Sequence, residues 1–198
     1  MDKGPTRTRN LTYSGLFIAL GLLVPQVFHM LGGNTAGGIF LPMHLPVLIS
    51  GLLLGPAYGT AVGVLSPLLS ALLTGMPPLT RLPFMVLELL VYGLVSGLCA
   101  KRLFVGLAAG RKHGPWLRDY ASLLAAQTAG RLAYAISLLI TGNLLHLAQG
   151  GAALAWTSTL TGLPGIILQW LLVPPLVRAI EKGASFRHGL GHRQNKLR

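Results

Sequence analysis

From Leu11 to Ile180 the chain alternates long apolar runs with short polar connections, and this alternation limits its folds more than anything else. A helix that crosses the hydrocarbon core of a bilayer needs ~20 apolar residues, somewhat fewer or more with tilt. Six runs approach that length: residues 11–30, 40–54, 57–73, 84–103, 120–147 and 153–180. The expected fold is all-α, an integral membrane bundle of six transmembrane helices. The first run is longer than the apolar core of a secretory signal, and no small-residue cleavage pattern follows it. It is expected to stay in place as a spanning helix.

Composition agrees with this reading. Only 10% of the 198 residues are charged and the mean hydropathy is +0.63, whereas soluble domains are nearer ~25% charged. The formal net charge of +12 could suggest a nucleic-acid partner. Such a partner needs basic residues interleaved on one folded surface, and here they fall in blocks between apolar runs. Fourteen of the sixteen lysines and arginines lie before the first run, after the fourth, or at the C-terminal end. With six spans those three regions share one side, and the opposite side keeps only Arg81. Lysine and arginine accumulate on the cytoplasmic side of membrane proteins, so both termini are expected to be cytoplasmic. The division is a basic N-terminus over 1–10, a transmembrane domain over 11–180 and a basic tail over 181–198. Cys99 is the lone cysteine, which excludes an internal disulfide and a multi-cysteine metal site.

The punctuation between runs is mostly glycine and proline. A glycine-rich uncharged loop, LGGNTAGG, is expected after the first helix, and Gly55-Pro56 marks a tight turn. Pro67 predicts a kink in the third helix, and Pro164 with Pro174-Pro175 predicts interruptions in the sixth.

Few polar residues lie within the runs. At ~1.5 Å per residue, Arg131 lies about 20 Å from Arg118, Glu88 about 21 Å from Arg102, and His44 about 17 Å from Gly55. All three are measured from the basic side and reach similar depth, which predicts one polar layer open to the other side. Gln127 is one turn from Arg131 on the same face, and Asn143 and His146 lie farther along. A charge at such depth costs at least ~2.5–3.5 kcal/mol on insertion scales, so it is paired or faces a cavity. Glu88 and Arg131 can therefore form a salt bridge between the fourth and fifth helices, line a ligand cavity, or do both. An arginine fork suits a carboxylate. His44, in PMHLP, can be a ligand contact, a metal ligand or a helix-start residue bonded to backbone. No second ligand at i+3 or i+4 supports the metal option, and no metal or cofactor is expected. Asn34 in the first loop is a further candidate contact. In the first helix Gly15 and Ala19 form a small-residue pair of the kind that lets helices approach closely in lipid.

No catalytic motif stands out: there is no G-x-S-x-G, no H-E-x-x-H, no P-loop and no paired carboxylates. If transport is driven by ATP, another subunit must bind the nucleotide.

Three stretches resemble a known family: GLFIALGLLVP, FLPMHLPVLISGLLLGPAYGTAVGVLSPLLSALLTGMPP and PFMVLELLVYGLVSGL. They look like the substrate-binding S components of energy-coupling factor (ECF) transporters, which import vitamins into prokaryotic cells. The resemblance covers roughly residues 10–180. It implies six helices and one vitamin-sized ligand held near the extracellular side. The loops at 32–39, 75–83 and 148–155 and the later helices, with Glu88, Gln127, Arg131 and Asn143, would contact it. It also implies an A-x-x-x-A motif in the first helix that docks onto a membrane-embedded T component, with two ATPase subunits supplying the energy. The matching place reads Gly15 to Ala19, with glycine for the first alanine. The surroundings of PMHLPVLISG most resemble components for niacin- or pantothenate-like substrates.

Two other classes are open from the residues alone. One is a stand-alone secondary transporter in which Glu88 carries a coupling proton. The other is an intramembrane enzyme using His44.

Overall fold

The computed structural model describes residues 4–110, 113–141 and 152–195, and among these every regular element is helical. The chain order is α1 (Gly4–Phe40), α2 (His44–Leu54), α3 (Pro56–Thr74), α4 (Leu82–Leu98), α5 (Val105–Ala108), α6 (Gly114–Leu139), α7 (Ala152–Thr161) and α8 (Leu163–Asn195). A widened turn over Cys99–Leu103 extends α4, with the Phe104 amide donating to the Cys99 carbonyl at 2.7 Å.

Among the described residues five segments are long and apolar enough to cross a membrane: Arg7–Met30, Gly37–Leu54, Pro56–Thr74, Leu82–Leu103 and Leu163–Gly183. The fifth expected span, 120–147, corresponds to α6. Its 26 residues reach far enough, but Arg118, Asp119 and Arg131 dilute its apolar character. It belongs to the bundle by packing rather than by hydropathy.

Local chemistry explains most boundaries. Pro56 opens α3 in the first helical turn, where a missing amide donor costs nothing. Gly75, at φ 71, closes it in the left-handed conformation, and its amide bonds to the Ala71 carbonyl. Two expectations change. The glycine-rich stretch after the first run is helical up to Phe40, broken only at Gly33 (φ 63, ψ −161). A single residue in that conformation redirects the chain without needing a loop. The last run does divide beside Pro164, at Gly162 between α7 and α8. Pro174 and Pro175 lie inside a continuous α8, because a proline removes one backbone bond and can bend a helix without ending it. The stretch beyond Thr141, with Asn143, His146 and the start of the 148–155 loop, lies outside the described residues.

The bundle is built around α2, which touches α1, α3, α4, α6 and α8. Its Val47, Leu48 and Leu52 are fully buried against Val62, Leu89, Tyr92 and Leu123. The outward faces carry leucines instead: Leu11, Leu72, Leu73 and Leu171 are each more than 60% exposed. That inversion suits a lipid surround.

The tightest seam joins α3 to α4, where Gly59 faces Gly93, Gly63 faces the Leu89 backbone and Gly97 faces Gly55-Pro56. A Cβ at Gly59 would sit 2.5 Å from the Gly93 carbonyl oxygen, and one at Gly93 would strike the Gly59 carbonyl. Gly51 of α2 closes on the same point, its Cα 2.7 Å from that Gly59 Cβ. Two G-x-x-x-G pairs thus bring backbones together, as small residues do in lipid. Neither flank can yield, because the atoms met are backbone. Gly93→Leu is therefore expected to lower thermal stability by at least the ~1–3 kcal/mol of an overpacked core. Gly15→Leu, on an open face, is the control. Equal melting temperatures for the two variants in detergent would contradict the seam.

Candidate functional site

Three helices each supply one polar side chain to a single point inside the bundle. His44 stands at the first turn of α2, Glu88 in the middle of α4 and Arg131 in the second half of α6. Arg131 NH1 lies 3.2 Å from Glu88 Oε1, and His44 Nε2 lies 3.6 Å from the same oxygen. His44 and Glu88 are buried, and Arg131 is nearly so. Tyr92, one turn beyond Glu88, sets its ring edge-on to His44 with centroids 5.0 Å apart. The ring lies against Gly130, where a Cβ would be 2.6 Å from Tyr92 Cδ2. Glycine next to Arg131 thus lets α4 and α6 approach at the level of the charges.

The cluster forms the floor of a cavity of about 460 Å³, within the ~300–1,000 Å³ range of small-molecule sites. Pro25 and His29 of α1 and Leu41 beside α2 wall one side. The 76–78 turn and Arg81 form the rim, and Tyr134, Ser158 and Thr161 wall the other side. Several polar atoms here are buried without a hydrogen-bond partner: both His44 ring nitrogens, Glu88 Oε1, Ser70 Oγ, Tyr92 OH, and Arg131 Nε and NH2. Buried polar groups are ordinarily hydrogen-bonded, so this concentration sets the cavity floor apart from the rest of the bundle. Among the described residues no third His, Cys, Asp or Glu joins His44 and Glu88 in a metal-binding group.

The sequence of the family of ECF transporter substrate-specific components matches residues 9–177. The chain belongs to that family. Comparison with curated proteins and with solved structures gives no match. Membership makes the chain a multi-pass membrane protein and a transporter subunit rather than an enzyme, and implies a small-molecule substrate, a membrane T component and ATPases.

Of the residues singled out from sequence, the S component brings His44, Glu88 and Arg131 together. Gln127 is placed elsewhere. Its Nε2 donates to Gln169 Oε1 at 2.9 Å, its Oε1 accepts from Trp170 Nε1 at 2.6 Å, and it ties α6 to α8 outside the cavity. Asn143 and the side chain of Asn34 lie outside the described residues. Gly15 and Ala19 face outward on α1.

Sequence reasoning missed Tyr92, Tyr134, Ser158 and Thr161. The first two had a signal, because each follows a charge at i+4 or i+3 and so shares its helix face. Ser158 and Thr161 had none, since their position depends on the break at Gly162. A second charge cluster was also missed, at the other end of α6. Asp119 is fully buried and accepts from Arg118 Nε and NH2 on one oxygen and from Arg178 Nε and NH2 on the other. Glu181 bridges the two arginines, at 3.4 Å from Arg118 and 2.8 Å from Arg178. Asp119 lies twelve residues, about 18 Å, along α6 from Arg131, and the cluster braces α6 against α8.

Removing one member of a buried ion pair strands the other charge, at about 3–5 kcal/mol. Glu88→Gln and Arg131→Gln are each expected to lower the unfolding free energy by roughly that amount in ligand-free protein. The double variant should recover part of the loss. Additive losses in this cycle, read by chemical denaturation in detergent, would mean the two side chains do not act as a pair.

Proposed function

We propose that this S component is the high-affinity binding and translocating subunit of an ATP-driven vitamin importer. It holds a small vitamin or precursor, niacin- or pantothenate-like by the surroundings of His44, in a cavity open to the outside of a prokaryotic plasma membrane. The observation that carries this reading is the convergence of His44, Glu88 and Arg131 at the floor of a vitamin-sized cavity. The cavity opens away from the end that bears Lys101, Arg102 and Arg118. The lysine and arginine bias makes that basic end cytoplasmic, so the site faces outward.

Energy would come from two ATPase subunits acting through a T component, to which α1 docks. The support is a face of α1 that its own fold leaves uncovered. Leu11, Gly15, Ala19, Leu23 and Val27 recur at four-residue spacing and are all exposed. Nothing lies within 4 Å of a Cβ built at Gly15. The secondary-transporter reading gains no observation, since Glu88 sits against Arg131 and His44 rather than free to shuttle a proton.

Two experiments test this. A thermal-shift screen of the purified chain against water-soluble vitamins should give a hit stabilised by ~2.7 kcal/mol at 100 times its dissociation constant. A blank from well-folded protein would remove the vitamin assignment. Gly15→Trp and Ala19→Trp should leave that binding unchanged and abolish co-purification with the T component. Assembly that survives both substitutions would put the docking face elsewhere.

A further inference from the structure

Resting on the binding reading above, the side chains around the cavity also narrow the chemical class of the ligand. The Arg131 guanidinium has two edges. One nitrogen, NH1, faces Glu88 at 3.2 Å. The other edge, Nε with NH2, is buried and has no hydrogen-bond partner. The same molecule shows what such an edge binds. Arg118 and Arg178 each turn Nε and NH2 together onto a single oxygen of the Asp119 carboxylate, Oδ1 and Oδ2 respectively. An arginine fork in this side-on pose matches a carboxylate in shape as well as charge.

Charge balance points the same way. Among the described residues the cavity is lined by two arginines, Arg81 and Arg131, against one acid, Glu88. With its histidines neutral it is cationic by one unit. A cationic guest would face that excess uncompensated, and an uncharged guest would leave the buried fork with at most a weak acceptor. Arg81 stands exposed at the rim, where a charge acts on the approach of a ligand more than on its final hold.

We propose that the ligand is an organic anion whose carboxylate docks side-on against Nε and NH2 of Arg131. Glu88 and His44 fix the guanidinium from its far side, and Arg81 draws the anion in. The place of docking lies beneath the junction of α7 and α8. A Cβ at Gly162 would be 2.9 Å from Arg131 NH2, 3.0 Å from Leu41 Cδ1 and 3.2 Å from the Ser158 carbonyl oxygen. Admission of the carboxylate requires that junction to move outward.

The test uses matched acids and neutral partners on the purified chain in detergent. Nicotinate is paired with nicotinamide, pantothenate with panthenol and biotin with its amide, with thiamine as the cation and riboflavin as a larger neutral ligand. Calorimetry should show binding confined to acids, with about 100-fold preference for the acid of a pair, the scale of a lost charged hydrogen-bond pair. Arg131→Lys keeps the charge but not the fork and should weaken that acid by about tenfold or more. Arg81→Gln should slow association and flatten its salt dependence while leaving dissociation unchanged. If a neutral or cationic compound binds and the acids do not, or an acid and its amide bind alike, the anion assignment is overturned while the binding-subunit reading stands. A blank across the whole panel from folded protein overturns both.

Discussion

The contact on which the rest of this molecule depends is the glycine seam between α3 and α4. A Cβ at Gly63 would strike the Leu89 carbonyl, and Gly59 and Gly93 meet backbone to backbone one turn farther on. In lipid there is little hydrophobic gain from bringing helices together, so close packing over small residues has to supply it. Leu89 follows Glu88 directly. The seam therefore fixes both the height and the rotation of Glu88 within the bundle. With α4 held there, α6 can approach on its other side, where Gly130 receives the Tyr92 ring and sets Arg131 opposite the acid. Glycine contacts on two faces of α4 thus position two charges that no local preference of either helix would bring together.

The charges themselves make the arrangement hard to alter. In a medium of low dielectric an ion pair is strong, but each member is costly when left alone. The two clusters of the S component solve this differently. At Asp119 every strong donor is used, with two forks on one carboxylate and Glu181 across the pair. At Glu88 the pairing is partial: Arg131 uses one nitrogen, His44 stands at 3.6 Å, and neither Nε nor NH2 of the arginine is bonded. A satisfied network braces α6 to α8, and an unsatisfied one lies where the cavity is. That contrast, on one helix, distinguishes a closed ion network from one with donors to spare without reference to any relative.

Much of this was legible in the sequence, for reasons that can be named. Long apolar runs gave the helical spans, since length against bilayer thickness is a coarse requirement that composition alone can meet. Equal depth of His44, Glu88 and Arg131 followed from counting residues, because helical rise is nearly constant. The convergence of the three at one oxygen shows that depth is informative even when rotation is unknown. Rotation is harder to read. Gln127 shares a face with Arg131 by spacing, yet it turns to Gln169 and Trp170 of α8. A residue one turn away on a helix between two neighbours can face either of them, and sequence periodicity does not say which. The Asp119 cluster escaped for a related reason: its partners lie about sixty residues apart, at what read as an interfacial end rather than a core.

The breaks in the helices matter for the same geometry. Gly33 and Gly162 divide segments that hydropathy reads as a loop and as one long span, and both breaks lie beside the cavity wall. Prolines 174 and 175, the stronger local signals, leave α8 continuous. A proline removes backbone bonds along a helix that still packs on both sides, whereas a glycine with nothing to pack lets the chain change direction where another backbone comes close. Gly165 makes the point: a Cβ there would lie 2.6 Å from the Phe40 carbonyl. The end of α1 and the start of α8 therefore meet at backbone distance just above the charged floor. Any outward movement that admits a ligand has to open this contact or turn about it, so the glycines that close the top of the bundle also determine where it can open.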